Sequence, residues 1–482
     1  MKCRHSGTAV ALGAIAAALA AHQADAAGFA LQEFSAIASG EADAGAASAN
    51  EDLSTIFFNP AGMTAFDGLQ NSATATYILP QVHVHITSAR ENLGLPAGAS
   101  PMIQGGDGRD ISVEKVVPSG FASYALTDDV RVGLGVTMPF GLQTSYGADS
   151  QARYQSLFSE IETFDFNPSL AWKVNEWLSV GAGVSEQKVK VKLTNALDLG
   201  AIIPGELNQL GLFNLAGPGA YAATVGQTAG RIANDGRSDL QGTSWGTGWD
   251  VGVQLHPFEG TTIGLSYRSG IEHKVHGRAN FAVPTSAVAN IVAAMPASLR
   301  AVTLSGLEQS KASQNTDFDT DLSLPGQVWF GVTQQVTPRL SLDLSYQWIN
   351  WSKFKSLSVT FGNPAQPTLG EHEGYKDSSF VSLGGSYRLD EKWTVRGGVA
   401  YDQTPTVGAY RDFRLPDSDR YWLASGCSYR LSDGVTLAGS YRHVFFPSSK
   451  VNHTDPTSGL NTVSAVASAN ADLFSAELHL TF

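Results

Sequence analysis

Cysteine is nearly absent from the 482 residues, with only Cys3 and Cys427 present. Cys3 lies in a segment that we predict to be removed, so Cys427 would remain alone without a disulfide partner. Positive charge is also scarce, because 31 Lys and Arg stand against 44 Asp and Glu. This acidic balance argues against a nucleic-acid partner. It also offers no general attraction to a carboxylate ligand, so any anion site must be local.

Long hydrophobic runs are missing beyond residue 26, and no stretch reaches the 18 apolar residues that indicate a membrane-spanning helix. Linkers are missing too. The length would suggest about three soluble domains, yet no Pro/Ser-rich spacer or charge block divides the chain. The charged fraction of 16 % and the mean hydropathy of −0.06 are those of a soluble protein. A membrane β-barrel has similar values, because each lipid-facing residue is followed by a lumen-facing one.

The N-terminus has the features of a secretory signal peptide. Lys2 and Arg4 precede an apolar run over residues 9–20, and Ala24-Asp25-Ala26 supplies small residues for cleavage. The run is too short to span roughly 30 Å of hydrocarbon as an anchor. We therefore predict a signal peptide over 1–26, removed after about Ala26, and an exported mature protein.

The last nine residues alternate strictly. Phe474, Ala476, Leu478, Leu480 and Phe482 are apolar, and the residues between them are polar. This is a strand with one apolar and one wet face. An exposed strand of this kind would invite aggregation, whereas a closed barrel in a membrane removes the edge and offers lipid to the apolar face. A terminal strand ending in Phe also resembles the signal read by the barrel-assembly machinery, which we expect as a partner.

Strands recur from residue 69 onward, joined alternately by tight polar turns and by longer loops. This pattern predicts an all-β, transmembrane, antiparallel up-and-down barrel of about fourteen strands over residues 68–482. A soluble β-sandwich would leave the signal peptide, the terminal strand and the interfacial aromatics unexplained. The expected strands lie near 69–86, 111–127, 130–141, 161–174, 177–193, 239–256, 260–283, 314–337, 339–361, 374–390, 392–404, 417–432, 434–447 and 469–482.

Three segments do not alternate. Residues 27–67 are rich in Ala, Gly and Ser, with a possible short helix at 42–49, and form either a periplasmic tail or a hatch that plugs the lumen. The insertions near 195–238 and 284–312 are apolar, and the second has a helical pattern. Both fall on the extracellular side of the predicted topology. Long apolar loops there suit a surface that collects hydrophobic molecules.

Several motifs resemble one family of outer-membrane proteins. They are residues 27–35 (AGFALQEFS), 59–61 (NPA), 164–171 (FDFNPSLA), 351–354 (WSKF), 372–377 (HEGYKD) and 415–422 (LPDSDRYW). In this order they resemble the long-chain fatty-acid transporters of Gram-negative outer membranes, a family that includes transporters of aromatic hydrocarbons. The resemblance implies a fourteen-stranded barrel plugged by an N-terminal hatch. It also implies a ligand path past the hatch and sideways out through the barrel wall.

Lys188, Lys190 and Lys192 alternate with apolar residues, which predicts that all three face the lumen. Three ammonium groups there could hold a carboxylate. The resemblance places Lys190 nearest the position that contacts a fatty-acid head group. The alternative is a lumen lattice of ion pairs with acidic residues of other strands.

Two groups in the predicted hatch are candidates for ligand or structural roles. Phe29, Leu31 and Phe34 either contact an acyl chain or pack the hatch against the wall. Asn59, Pro60 and Ala61 form a turn signal, and we expect them to fix the hatch rather than to bind ligand.

Pro139 and Gly141 interrupt the third predicted strand, because proline lacks a ladder donor and glycine lacks a side chain to pack. The resemblance implies a kink here that opens a lateral gate. The alternative is that Pro139 only ends the strand.

A nucleophile-elbow pattern at 242–246 (GTSWG) lies in an alternating strand with no helix after it, so we predict no enzyme. We also predict no metal site and no cofactor. The expected function is passive uptake of a hydrophobic small molecule by a monomer in outer-membrane lipid. A long-chain fatty acid is favoured over an aromatic hydrocarbon, and a general porin and an outer-membrane lipid hydrolase are the alternatives of other classes.

Overall fold

The computed structural model describes residues 28–96, 99–309, 314–455 and 459–482. The predicted signal peptide at 1–26 and the end of the predicted insertion at 310–312 lie outside these residues. Among the helices described, none has both the length and the apolar character needed to cross a membrane.

Within the described residues, twenty strands form one antiparallel sheet that closes on itself. They are β1 (Leu69–Glu91), β2 (Arg109–Asp110), β3 (Lys115–Ala125), β4 (Val130–Thr137), β5 (Gly141–Ser145), β6 (Phe158–Asn175), β7 (Leu178–Asp198), β8 (Asp235–Phe258), β9 (Thr261–Arg268), β10 (Ile271–Ala282), β11 (Thr316–Leu324), β12 (Gln327–Thr337), β13 (Leu340–Ile349), β14 (Ser356–Phe361), β15 (Leu369–His372), β16 (Ser378–Arg388), β17 (Trp393–Asp402), β18 (Arg420–Ser432), β19 (Val435–Thr454) and β20 (Asn461–Thr481).

These twenty strands make fourteen passes from one end of the barrel to the other. In six cases two consecutive strands, separated only by a short break, together make one pass. These pairs are β2/β3, β4/β5, β9/β10, β11/β12, β13/β14 and β15/β16. The last strand, β20, pairs with β1 from Gln70↔Thr481 to Glu91↔Asn461 and leaves no free edge. The predicted fourteen-stranded, closed antiparallel barrel is confirmed.

Two belts of exposed aromatic side chains mark the membrane band on the outer surface. The lower belt, near the short turns, contains Tyr124, Trp172, Trp177, Tyr387 and Trp393. The upper belt contains Tyr77, Phe166, Trp249, Tyr267, Tyr346, Tyr421, Tyr441 and Phe474. Several strands continue well above the upper belt and carry the wall into the extracellular space.

The polarity of the wall reverses above the upper belt, as β7 shows. In its lower half Val180, Ala182 and Val184 point outward to lipid, the residues between them are glycines, and the flanking Ser179 and Ser185 are buried on the inner face. In its upper half Lys188 and Lys190 are exposed on the outside, whereas Val189 and Val191 are buried inside. The same alternation therefore gives an apolar exterior in the membrane and an apolar interior above it.

Residues 28–67 lie inside the barrel as a hatch, built from α1 (Ala36–Ser39), α2 (Thr55–Phe58) and a 3-10 helix (Pro60–Ala65). The Ser35 hydroxyl caps α1 by accepting from the Ile37 and Ala38 amides. The possible helix at 42–49 does not form, because Ala42 and Asp43 adopt positive φ values of 54° and 58° and turn the chain.

Buried ion pairs fix the hatch to the wall. Arg442 Nη2 lies 2.8 Å from Asp43 Oδ2, and its Nη1 lies 3.3 Å from Glu33 Oε1. Arg396 contacts Glu41 at 3.1 Å and Glu51 at 2.5 Å. These guanidinium groups compensate acidic side chains that would otherwise be buried without partners, so removing either group would leave uncompensated charge.

The wall carries glycine where the hatch approaches most closely. A Cβ atom at Gly264 would lie 1.9 Å from the Ala47 carbonyl oxygen, and one at Gly252 would lie 1.9 Å from Asn59 Oδ1. Any larger residue at either position would push the hatch from the wall.

The two apolar insertions are helical and pack on each other outside the membrane. The first contains α3 (Leu199–Gln209) and α4 (Ala220–Thr228), and the second contains α5 (Thr285–Ala294) and α6 (Ala297–Gln309). The ends of the first, 195–198 and 235–238, belong to β7 and β8. Leu199, Ile203, Ala287, Ile291 and Met295 form their shared core.

Candidate functional site

A largely apolar cavity lies above the hatch and encloses about 700 Å³, including its open mouth. Its wall comes mainly from the inward faces of strands above the upper belt: Leu142, Ile161, Val191, Leu193, Leu240, Phe318, Leu322, Leu357 and Val359. The reversed polarity of the wall at this height is what makes the lumen apolar here.

Phe29 of the hatch forms one side of the cavity. Its ring packs edge-on against Trp351, Phe354 and Phe140, with centroid distances of 4.8, 5.8 and 6.0 Å. Such pairs add specific geometry to the burial of apolar area. Of the two roles predicted for Phe29, contact with a ligand requires a position on the cavity wall, and Phe29 has that position.

The backbone beside Phe29 is held by a charged pair. The Gly28 amide donates to Asp417 Oδ2 at 3.2 Å, and Arg420 Nη2 donates to the Gly28 carbonyl oxygen at 2.5 Å. Arg420 also lies 3.2 Å from Asp417 Oδ1. These contacts fix the start of the hatch beneath the cavity.

The polar end of the cavity consists of Glu373, Tyr375, Asp412 and Arg414. Arg414 donates to Ser159 Oγ at 3.0 Å and to Asn195 Oδ1 at 3.1 Å, and its Nε lies 3.5 Å from Glu371 Oε2. An oriented guanidinium group at the end of an apolar cavity is suited to a carboxylate or another acceptor group.

Acidic neighbours change the protonation of this polar end, which lies outside the membrane band. Burial, followed by the charges of Asp412 and Glu371, raises the pKa of Glu373 well above its ordinary value. Burial and then the charge of Glu371 raise the pKa of Asp412 to about 6, although Arg414 and His453 oppose this. Burial would also raise the pKa of Glu371, but the His453 hydrogen bond and the charge of Arg414 outweigh it and lower the pKa.

Carboxylate oxygens of Glu371, Glu373 and Asp412 lie within 4.8 Å of one another, the kind of oxygen set that hard divalent cations prefer. Arg414 and His453 already pair with Glu371, at 3.5 Å and 3.0 Å. We therefore treat the cluster as the acidic end of the cavity and assign no metal to it.

The prediction that Lys188, Lys190 and Lys192 face the lumen is wrong. The three side chains lie on the outside of β7, and Lys190 Nζ is 3.0 Å from Glu160 Oε2 on the outer face of β6. Val191 and Leu193, which flank Lys192 in the sequence, line the cavity instead. The lysines lie at or above the upper belt, where the outer face meets water and the inner face is apolar.

Leu31 and Phe34 differ from Phe29 in position. Phe34 is fully buried inside the hatch, with ring centroids 4.3 Å from Phe57 and 5.8 Å from Phe58, and does not line the cavity. Leu31 lies against Gly141, where an added Cβ atom would be 2.9 Å from Leu31 Cδ1. Phe34 therefore has the packing role that was the alternative to ligand contact. Leu31 contacts the wall where the strand is interrupted between β4 and β5.

Pro139 lies between β4 and β5, and Gly141 begins β5. Here the hatch takes the place of a wall strand, because the Leu31 amide donates to the Pro139 carbonyl oxygen at 2.9 Å and the Gly141 amide to the Phe29 carbonyl oxygen at 3.0 Å. The ladder of β3 with β4 ends at Gly120↔Val136, and β5 pairs with β6. Above that point the described strands form no ladder between β3 and β5. We call this gap in the wall the seam, and the hatch bridges it.

Asn59, Pro60 and Ala61 hold the hatch against β7 and β8. Asn59 Nδ2 donates to the Ala47 and Val253 carbonyl oxygens at 2.9 and 3.1 Å, and its Oδ1 accepts from the Ala61 amide at 3.2 Å. All three residues are buried away from the cavity. The contacts are those of the structural turn that the sequence analysis favoured.

Sequence reasoning gave no role to Glu373, Tyr375, Asp412 or Arg414, because they lie in loops without periodicity. Glu373 and Tyr375 fall within the 372–377 motif, and Arg414 immediately precedes the 415–422 motif, so these motifs were the only available signal. The pattern at 242–246 lies inside β8, and no strand-to-helix turn presents Ser244.

A closed barrel with a plugged lumen, an apolar cavity and a bridged seam defines a transport protein of the outer membrane. The chain belongs to the family described as outer membrane protein transport protein (OMPP1/FadL/TodX), whose profile matches residues 17–482. Members of this family are transporters, so the protein is not an enzyme and resides in the outer membrane.

Individual relatives agree with this assignment. The long-chain fatty acid transport protein of Escherichia coli (strain K12) is 28 % identical over 440 residues, covering 89 % of this chain and 91 % of that protein. The fold matches a Pseudomonas aeruginosa FadL homologue with a TM-score of 0.79 at 24 % identity, over 95 % and 100 % of the two chains. It also matches the Ralstonia pickettii toluene transporter TbuX with a TM-score of 0.62 at 20 % identity, over 93 % and 98 %.

Proposed function

We propose that this protein takes up hydrophobic small molecules, with long-chain fatty acids as the best-fitting class. The observation that carries the proposal is a cavity with a largely apolar lining that also includes the side chain of Arg414. Burial of an acyl chain would supply about 0.8 kcal/mol for each methylene removed from water. The 28 % identity to the Escherichia coli fatty acid transporter supports the same ligand class.

The proposed path begins at the helical insertions, whose Leu210 and Leu215 side chains are 73 % and 78 % exposed. From there the ligand enters the cavity and displaces Phe29. Phe29 can move only if the hatch backbone at Phe29 and Leu31 loses its hydrogen bonds to Pro139 and Gly141. The same step would open the seam between β3 and β5, and the ligand would leave sideways into the bilayer.

An aromatic hydrocarbon is the second candidate, and the aromatic rings of Phe29, Phe318 and Phe354 around the cavity favour it. The two classes differ at Arg414, because an aromatic hydrocarbon has no carboxylate to accept charge-assisted hydrogen bonds from the guanidinium group. A direct comparison of ligands with and without a carboxylate therefore separates them.

We expect Arg414→Gln to weaken binding of a long-chain fatty acid by about tenfold, the loss of one charge-assisted hydrogen bond. Binding of the corresponding methyl ester should change less than twofold. Fluorescence titration of purified protein with both ligands measures the difference. The matched control is Arg430→Gln, which removes an exposed cation near the short turns. Equal losses for acid and ester would assign Arg414 to structure and would favour the hydrocarbon.

Fatty-acid affinity should fall as the pH rises from 5 to 8. Burial and the charge of Glu371 raise the pKa of Asp412 to about 6, so this carboxyl group is protonated at the lower pH and becomes anionic across this window. His453, whose raised pKa reflects its contact with Glu371 despite burial, loses positive charge in the same direction. Repulsion of a ligand carboxylate therefore grows with pH.

Asp412→Asn should flatten this pH profile, and the methyl ester should show no such dependence in either protein. Isothermal titration calorimetry at four pH values gives the profile for each ligand. An acid affinity that rises with pH, or an ester that follows the acid, would contradict the assignment of the acidic end of the cavity.

A further inference from the structure

One carboxyl group at the polar end of the cavity has no bonding partner. The Glu373 side chain lines the cavity and is only 8 % exposed. Within the described residues it forms no hydrogen bond and no ion pair. A carboxyl group buried in this way is neutral, because burial disfavours the charged form. Glu373 therefore presents an O–H group to the cavity.

The two acidic neighbours of Glu373 are already engaged. Glu371 lies 3.0 Å from His453 Nε2 and 3.5 Å from Arg414 Nε. Asp412 Oδ1 accepts from the Arg414 and Leu415 amides at 3.1 and 3.0 Å, and Asp412 Oδ2 lies 3.9 Å from Arg414 Nε. The two cations at this end of the cavity are thus matched by these two carboxylates.

The charged and titratable groups around Glu373 come from several parts of the chain. They are Glu371 on β15, Tyr375 just after that strand, Asp412 and Arg414 in the loop between β17 and β18, and His453 on β19. Burial and the charges of the two neighbouring carboxylates raise the pKa of Glu373 well above its ordinary value, and Arg414 opposes this rise without reversing it. Glu373 therefore keeps its proton at neutral pH.

A ligand carboxylate would add one negative charge that this end of the cavity does not balance. With His453 protonated, the two cations offset the two engaged carboxylates. Arg414 attracts the ligand carboxylate, yet the sum of the charges then becomes negative by one. Carboxylate oxygens of Glu371 and Glu373 lie within 4.8 Å of each other, and Arg414 contacts Glu371. A head group that contacts Arg414 therefore lies close to the Glu373 proton.

The exit proposed for the ligand also requires loss of charge. An ionised carboxylate is costly to move into hydrocarbon, whereas the neutral acid enters it with a much smaller penalty. Sideways release through the seam into the bilayer therefore favours a ligand that has gained a proton before it leaves the cavity.

We propose that Glu373 transfers its proton to the carboxylate of a bound fatty acid, which then leaves as the uncharged acid; this inference rests on the proposed function. While the ligand is bound, the two carboxyl groups share one proton. On release the O–H bond of Glu373 breaks and an O–H bond forms on a ligand oxygen, so the negative charge passes to Glu373. The Glu373 carboxylate regains a proton from water through the open mouth of the cavity.

The test observes the ligand itself, as palmitic acid labelled with ¹³C at its carboxyl carbon and bound to purified protein in detergent at pH 8. Protein-free micelles at low and high pH give the NMR positions of the acid and the carboxylate. In wild type we expect a resonance between these positions, because the ligand shares a proton with Glu373. In Glu373→Gln it should lie at the carboxylate position, because the amide has no acidic proton to give. Glu373→Asp should move it back toward the wild-type position.

Uptake separates proton transfer from binding, and it is measured in bacterial cells that produce each variant at the same level and lack other transporters of this family. Glu373→Gln should slow uptake of palmitate at least tenfold, while the affinity of the purified protein stays within about threefold. Uptake of methyl palmitate, which has no charge to lose, should change less than twofold. The matched control, Glu272→Gln, removes an exposed carboxyl group on the outer face of β10 and should change none of these values.

A wild-type resonance at the carboxylate position would overturn the inference and leave the proposed function intact, because the acid would then be bound as an anion. Equal slowing of palmitate and methyl palmitate would also overturn it and assign Glu373 to structure. Heat-modifiable migration in electrophoresis verifies that each barrel is folded, and if Glu373→Gln does not fold, the wild-type resonance alone decides. Failure of palmitic acid to bind wild type at all would overturn the proposed function together with this inference.

Discussion

Deletion of residues 28–66 is expected to convert a closed barrel into an open channel. The hatch fills the lumen, and its Phe34, Leu53, Ile56, Phe58 and Met63 side chains are all at most 1 % exposed. Without it the membrane-level lumen is lined mainly by small polar residues and by Arg396 and Arg442, which hold water readily. Single-channel recordings in planar bilayers should show a rise in conductance of at least tenfold.

A milder variant tests whether the ion pairs hold the hatch. Arg396→Gln with Arg442→Gln leaves the hatch in place but removes the partners of four acidic side chains. We expect frequent open events between closed periods, and none in a variant with Arg339→Gln and Arg388→Gln, which lie near the short turns. A deletion barrel that folds yet conducts like the full chain would show that other segments close the lumen.

A disulfide between Ala30→Cys and Phe140→Cys is expected to block uptake until it is reduced. These two residues face each other in an isolated antiparallel bridge between the hatch and the break in the wall. The flanking hydrogen bonds run from Leu31 to Pro139 and from Gly141 to Phe29, so the bridge is a non-hydrogen-bonded pair with Cα atoms about 4.5 Å apart. That separation lies within disulfide range.

Cys427 is replaced by serine first, because it is exposed and would mispair. The oxidised double variant should take up a long-chain fatty acid at least tenfold more slowly than the same protein after reduction, while binding remains. The Ala30→Cys and Phe140→Cys single variants should take up the fatty acid at the same rate with and without reductant. If the double variant takes up the fatty acid at an undiminished rate while its disulfide is verified to be intact, the ligand passes without separation of the hatch from the wall at Phe140.

Local pattern predicted the wall well, because the lipid-facing stretches repeat with period two and most of the short turns are polar. The last strand is the clearest case, since Phe474 to Phe482 alternates strictly and does pair with both β19 and β1. The helical insertions were also visible, because they lack alternation. Of the expected site residues, Phe29 does line the cavity, whereas Phe34 and the three lysines do not.

The sequence by itself determined that this chain is an exported β-barrel with a non-alternating N-terminal segment, because alternation, signal composition and small-residue content are all local properties. Only the tertiary structure decided which side of each strand faces water. That side depends on the height of a residue relative to the membrane and on what fills the lumen beside it, so Lys188, Lys190 and Lys192 face outward above the upper belt. The polar end of the cavity was decided in the same way, since Glu373, Asp412 and Arg414 come together from loops that have no shared pattern in the chain.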